Sequence, residues 1–374
     1  MTINFSIIYQ ELENLLFELI QIALGNKDRL SHNPSKEEWE NLFLDAQKQS
    51  VVGIAFEGVQ KLPKEQWPSQ ALLFEWIGVT EMIKQRNELL NKQCVKLQEL
   101  FKDTGIRSSI LKGQGIARYY GDKLISLRQS GDIDVYVDCG RERVLQFASS
   151  LGLKDVKWDY KHLHLNVFPD TEVEVHYRVE VLLNFWKNRK LQKWFRNHEY
   201  MLFSQNGDLI TPSVEFNRFY ILLHIYRHFL YEGVGLRQLL DYYFVLNANT
   251  NAISKTDISE LLKEFGMWKF ARGVMWVMQR VFGLEKDCLI CEPLEEEGRF
   301  ILSEVMEGGN FGHYDERLSS ARGGKLQTMK KVMKHNVHLM RHYPSEIIWP
   351  PIWFVWHKLW KMWIQFNGLN VQGV

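Results

Sequence analysis

The chain predicts an α+β fold, a small mixed sheet over residues 105–180 set between helical regions at 1–104 and 181–374. Three observations predict it. The runs Ile133–Val137 and Thr171–Tyr177 alternate apolar residues with polar ones, the period of a half-buried strand. Lys161–Phe168 alternates in the same way, and Pro169-Asp170 joins it to the second run with good turn chemistry, so the two read as a hairpin. Outside these limits apolar residues recur at intervals of three and four, the period of a helix with one buried face.

In chain order, Leu12, Leu15, Leu16, Leu19, Ile22 and Ala23 share a helical face that Gly25 stops. Ser35 and Glu38 form a capping box for a helix carrying Trp39, Leu42 and Phe43. Leu72–Phe101 reads as one or two further helices. A short apolar strand, Ser108–Leu111, then leads into a helix over 115–120. Gly113 and Gly115 permit the tight turn between them and leave backbone N–H groups exposed. Strand Asp132–Asp138 leads into a helix from about Arg141 to Leu151, and the hairpin follows. Beyond 181 the pattern is helical again, most regularly over Val214–Tyr231 and Leu236–Leu246. Gly308–Gly312 reads as a flexible loop, and no internal repeat is evident.

Composition bounds the function classes. The 374 residues are 45% hydrophobic and 24% charged, ordinary for two or three packed units. A net charge of +1 predicts no polyanionic partner. Cys94, Cys139, Cys288 and Cys291 lie on distant segments, and the lone Cys288-x-x-Cys291 lacks the second pair a zinc site needs, so reduced thiols are expected. Glu11, Glu13 and Glu18 interrupt any signal-peptide core. No stretch approaches the ~18 apolar residues of a spanning helix. The cytoplasm is the default location.

The chemistry concentrates at Gly131-Asp132-Ile133-Asp134. Residues two apart on a strand share a face, so Asp132 and Asp134 point to one side, close enough to share a divalent cation. Thr171–Tyr177 offers Glu172 and Glu174 in the same alternation. Acids on adjacent strands suit Mg²⁺, which takes oxygen ligands and keeps waters and substrate phosphates in its shell. Upstream, Lys112 adds a phosphate-seeking cation to the glycine turn.

Leu111-Lys112-Gly113, Arg128-x-Ser130-Gly131-Asp132-Ile133-Asp134 and Glu174-x-His176 together resemble the nucleotidyltransferase-fold superfamily, the polymerase-β-like enzymes. They resemble most closely an uncharacterised bacterial nucleotidyltransferase family in which helical regions flank the catalytic core. The resemblance implies transfer of a nucleoside monophosphate from an NTP such as ATP to a hydroxyl, with Mg²⁺ or Mn²⁺, by two-metal in-line displacement. It implies metal ligation and catalysis by Asp132, Asp134 and Glu174, with Glu172 as the fallback third ligand and His176 orienting Glu174. Lys112, Gly113, Gln114, Arg128, Ser130 and Gly131 would bind the nucleotide. The sequence departs from the superfamily pattern where Gly-Ser becomes Gly113-Gln114 and where the gap to Asp132 is long. The acceptor is open among a small molecule, a protein side chain and an RNA end, the last two as in toxin-like relatives. The other class of reading is a catalytically silent nucleotide-binding or scaffolding protein. Repulsion among clustered carboxylates predicts that Asp134→Asn keeps or gains stability when no cation is bound.

Other features compete for a role. His162, His164 and Asn166 put a polar face on the hairpin, either lining the site or simply solvated. His224 and His228 stand one helical turn apart without the Glu of zinc-protease helices. Arg237 and Asp241 read as an intrahelical pair, on a helix that the resemblance places near the site. Two acid-free basic segments, Trp186–Arg196 and Leu318–Pro344, suit RNA and equally suit a solvated helix. The first is expected at the acceptor side, through Lys187, Arg189 and Lys190. Trp349, Trp353, Trp356, Trp360 and Trp363 form a stripe behind Pro350 and Pro351. It is expected to dock on the chain's own core, with an interfacial membrane helix as the alternative.

Overall fold

The computed structural model describes residues 14–154, 156–248, 255–312, 314 and 337–366. Leu12 and the 318–336 part of the second basic segment lie outside the described residues. The N-terminal helices are α1 (Leu15–Leu24), α2 (Lys36–Lys48), α3 (Val52–Lys61) and α4 (Gln70–Asp103). Gly25 caps α1 in the left-handed conformation at φ 84°, and the Ser35/Glu38 capping box forms in both directions. The apolar run from Leu72 to Phe101 lies within one helix of 34 residues, because it holds no Pro and its single Gly78 sits mid-turn without a cap or stop signal.

The sheet has order β1–β2–β4–β3, with β1 at Ser108–Ile110, β2 at Ile133–Val137, β3 at His162–Phe168 and β4 at Thr171–His176. β2 and β4 are parallel; β1–β2 and β3–β4 are antiparallel, so the sheet is mixed and the fold is α+β. Between β2 and β3 lies α5 (Arg141–Ser150).

One face of the sheet is apolar. Ile133, Val135, Val137, Leu163, Leu165, Val173 and Val175 are buried against Leu90, Cys94, Leu97 and Phe101 of α4 and Val144 and Phe147 of α5. The alternation that buries these residues turns Asp134, Glu174 and His176 to the other face.

The C-terminal helices follow, and the two over residues 214–247 cover that polar face. They include α6 (Phe185–Asn197), α7 (Val214–Tyr231), α8 (Leu236–Asn247), α9 (Lys255–Glu264), α10 (Trp268–Phe282), α11 (Glu295–Gly308) and α12 (Trp349–Phe366). A two-stranded ribbon, β5 (Ser204–Asn206) with β6 (Leu209–Thr211), sits between α6 and α7. One continuous apolar core joins α1–α3 to α7, α8, α10 and α11. Trp353, Trp356 and Trp360 of α12 pack edge-on against Tyr160, as a stripe docking on its own core should. Trp363 stays 63% exposed. Among the described residues no helix is long and apolar enough to cross a membrane. The four cysteines are free thiols.

Candidate active site

Strand pairing builds the site. The parallel register places Asp134 beside Glu174 and Tyr136 beside His176. The hairpin register brings His162 opposite His176 and His164 opposite Glu174. Asp132 stands one residue before β2. Carboxylates and imidazoles from three strands therefore meet on the face that the helices cover.

The glycine turn delivers Lys112 to this face. Gly113 has φ 56°, ψ −114°, a conformation costly for any other residue, and it opens the one-turn helix Gln114–Ala117. Gly115 packs its backbone onto β1, where a Cβ would stand 2.5 Å from the Ile110 carbonyl oxygen. Gly115→Ala is expected to cost about 1–3 kcal/mol by over-packing. Thermal unfolding measures it, and a variant melting with the wild type would show that the turn relaxes freely.

Asp134 is almost fully buried and holds two partners on one oxygen. Lys112 Nζ and His176 Nε2 each lie 2.9 Å from its Oδ1. His176 Nε2 is also 3.4 Å from Glu174 Oε2, and His162 Nδ1 is 3.6 Å from that oxygen. Burial pushes the Asp134 carboxyl upward, but Lys112 and His176 outweigh it and hold it well below the usual carboxylate range. Burial also opposes ionisation of Glu174, and the His176 hydrogen bond reverses it, leaving the group lowered. Asp132 lacks such partners. Burial and the Asp134 charge raise it. Burial works against the Lys112 ammonium, yet the charges of Asp134, Asp132 and Glu174 keep it protonated more firmly than usual. His176 is raised, because its carboxylate hydrogen bonds overcome burial. His162 is pushed down to about 4, first by burial and then by His176, so it is neutral at pH 7.

Asp132 and Asp134 open into a narrow cleft of about 40 Å³ with Lys112, Gly113 and Arg128. Its far wall is His224 of α7, Arg237 and Asp241 of α8, and Phe311. Of the expected nucleotide-binding residues, Lys112, Gly113 and Arg128 line this cleft. Gln114 turns its amide away to Asn91 Oδ1, at 2.8 Å. Ser130 accepts from Arg128, and the Gly131 carbonyl accepts from Arg86. Glu172 sits at the exposed edge, 2.8 Å from His164.

Arg237 and Asp241 do not form the intrahelical pair that their spacing suggests. Asp241 instead receives a two-pronged bond from Arg128, Nε to Oδ1 and Nη2 to Oδ2, both 2.7 Å, plus the Tyr120 hydroxyl at 2.6 Å. A buried guanidinium 113 residues away offers that carboxylate a planar fork with matched, two-pronged geometry. Arg237 donates to the Gln129 carbonyl at 3.0 Å. Its Nε is buried and has no partner among the described residues. Burial and the Arg128 charge lower its pKa, and the nearby Asp241 and Asp132 charges only partly offset them. His224 is anchored from behind by Glu180, whose Oε2 lies 3.1 Å from its Nδ1. Arg237, read as Asp241's intrahelical partner, His224, read only as half of a zinc-less His pair, and Phe311 are wall residues to which sequence reasoning gave no site role. The 236–241 spacing was the available signal.

The donor set fits a divalent cation. The Lys112 ammonium already seats a positive charge on Asp134. The ligand atoms of His162, Glu174 and His176 lie within 4.8 Å of one another, as do those of His164, Glu172 and Glu174. Asp132, Asp134 and Glu174 do not form such a group among the described residues. Imidazoles beside the carboxylates widen the choice from Mg²⁺ toward softer first-row ions.

A family model described as an uncharacterised nucleotidyltransferase matches residues 35–283, more than half of the chain. The chain belongs to this nucleotidyltransferase family. No curated protein and no solved structure matches it. The matched segment runs from the Ser35 cap into Gly283, just past α10, and holds every cleft residue named above except Phe311.

Proposed function

We propose that this nucleotidyltransferase moves a nucleoside monophosphate from an NTP to a hydroxyl acceptor at the Asp132–Asp134–Glu174 face. The observation that carries the reading is the parallel β2–β4 register, which sets Glu174 beside Asp134, and Asp134 with Asp132 lines a cleft walled by cations. Asp132, Asp134 and Glu174 would hold Mg²⁺ or Mn²⁺, which supplies charge neutralisation at the α-phosphate and the departing pyrophosphate. Lys112 and Arg237 face the same space and neutralise the phosphates. The Gly113 turn lets backbone N–H groups approach them. Arg128 is committed to Asp241, so it works by fixing the loop that carries Ser130 and Asp132. Glu174 is ionised at neutral pH and receives the proton of the acceptor hydroxyl. His176 bridges Asp134 and Glu174 and keeps both oxygens aimed.

The test is pyrophosphate release from each of the four NTPs with Mg²⁺, with Mn²⁺ and with EDTA. Cation-dependent release with at least one NTP is expected. Release with none, in the presence of a cell extract as acceptor source, would leave the silent nucleotide-binding reading instead.

A further inference from the structure

A second cleft, larger than the first, lies at the carboxyl ends of the parallel strands β2 and β4. It holds about 460 Å³, within the range of about 300–1,000 Å³ typical of small-molecule sites. Ligands of open α/β sheets bind in this position, outside the carboxyl ends of the strands. The cleft begins at Tyr136, two residues beyond Asp134 on the same face of β2 and so roughly 7 Å along the strand.

Its lining is cationic and aromatic. Arg141, Arg178 and Arg196 reach it from three different segments, against one lining carboxylate, Glu142. Arg141 donates to Glu142 at 2.7 Å and lies over the Trp158 ring, while its Nε is buried with no partner among the described residues. Arg178 lies over the Tyr160 ring. Arg196 has no ion pair or hydrogen bond among the described residues. The amino end of α5 also faces the cleft, and Gly140 supplies it with no side-chain cap. That end adds the positive pole of a ten-residue helix. The opposite wall is Trp360 and Trp363 of α12.

We infer that this cleft is the acceptor subsite and that it takes a nucleotide: a phosphate on the arginines and a planar base against the tryptophans. The inference rests on the transfer reading above. Three arginines repel a cationic acceptor and hold a phosphate with charge-assisted bonds. Trp360 is half-buried among Trp356, His357 and Tyr160, and the exposed Trp363 at its end offers the aromatic surface on which any base can stack. To react, a hydroxyl on such a ligand must extend past Tyr136 along the strand face to Glu174, which neighbours Asp134 two residues back. Its oxygen bonds the donor α-phosphorus, the bond to pyrophosphate breaks with the electron pair leaving on pyrophosphate, and the hydroxyl proton passes through Glu174 to water. The basic helix α6 contributes through Arg196. Lys187 and Lys190, expected at the acceptor side, are instead paired with Glu346 and Glu264.

The experiment is calorimetric titration of the full chain in EDTA with AMP, adenosine, inorganic phosphate and a short oligoadenylate ending in a 3′-hydroxyl. AMP is expected to bind well above adenosine or phosphate alone. Arg196→Ala should weaken it about tenfold, and Arg196→Glu further. Because Arg196 is exposed and unpaired, these variants should fold as the wild type does, which circular dichroism checks. Asp134→Asn should bind AMP normally. A tighter, salt-dependent oligoadenylate assigns the nucleotide to an RNA end, and preference for AMP assigns it to a free mononucleotide. Binding that is absent at millimolar AMP, or that follows Arg237→Ala and ignores Arg196, overturns the inference. Pyrophosphate release without AMP binding would leave the transfer reading standing, and AMP binding at Arg196 without any pyrophosphate release would sink that reading alone.

Discussion

Asp134→Asn is expected to reduce nucleotidyl transfer by about 10²–10³-fold or more, the scale seen when one preorganised charge is removed from an active site. Asp134 is the carboxylate on which Lys112 and His176 converge, so the amide loses the charge that holds both cations and any bound metal. The same substitution now carries a stability prediction of opposite sign to the one that carboxylate repulsion suggests. Repulsion would make the neutral variant as stable as the wild type, or more so, without a cation. In the folded chain Lys112 and His176 over-compensate that repulsion, so Asn leaves a buried ammonium with one fewer counter-charge. The variant should unfold at a lower temperature in EDTA, and AMP binding should persist. Near-normal turnover in a folded variant would remove Asp134 from the chemistry.

Glu180 carries the largest expected effect on stability. It is fully buried and accepts from Arg227 Nη1 at 2.9 Å, His224 at 3.1 Å and Lys161 Nζ at 3.3 Å. Burial opposes its ionisation, but Arg227 and Lys161 lower its carboxyl well below the usual range. Removing the charge leaves Lys161 buried without its counter-charge and Arg227 with Glu232 alone, and Glu180→Gln or Glu180→Ala should cost about 3–5 kcal/mol. Acid sensitivity follows from the same network. A carboxylate lowered on folding stabilises above its unfolded pKa and loses that contribution as pH falls through its folded one. His224 and His228 are lowered as well, mainly by burial. Their neutral forms are favoured by folding, so stability falls as pH drops below their unfolded value near 6.5. The wild type should therefore weaken in two stages, from the histidine range and again below about pH 4.5. Glu180→Gln should start lower and show a smaller second stage. Thermal midpoints from pH 7.5 to 3.5 measure both, and a glutamine variant as stable as the wild type at pH 7 would show that the hub contributes nothing net.

Glu180 itself carries no signal in the sequence. It follows β4 by four residues, outside any alternation, and its partners come from 161, 224 and 227. Only packing brings those positions together.

What the sequence alone determined is local. The alternation at 132–137 and 171–177 fixed two strands and the face on which Asp132, Asp134, Glu174 and His176 would lie, because a period of two leaves no other assignment once Ile133, Val135, Val173 and Val175 must be buried. Gly113 and Gly115 marked the turn, since a positive φ and a carbonyl contact of 2.5 Å exclude side chains there. The Ser35 cap and the helical limits at 214 and 231 were likewise readable from neighbours in the chain.

What only the tertiary structure decided is who pairs with whom across long separations. Arg128 reads as a phosphate ligand because it precedes Asp132 by four residues, and it is neutralised by Asp241 from a helix 113 residues on. Arg237, read as that helix's internal partner for Asp241, instead lines the donor cleft beside Asp132. Lys112 turns onto Asp134. Lys187 and Lys190 are drawn to carboxylates at 346 and 264, while Arg196 of the same helix stays unpaired beside the second cleft. The reason is physical. Backbone periodicity and steric limits act over a few residues and are written into local sequence. Charge pairing in a low-dielectric interior depends on which side chains arrive within about 4 Å, and that is set by how the helices pack over the sheet.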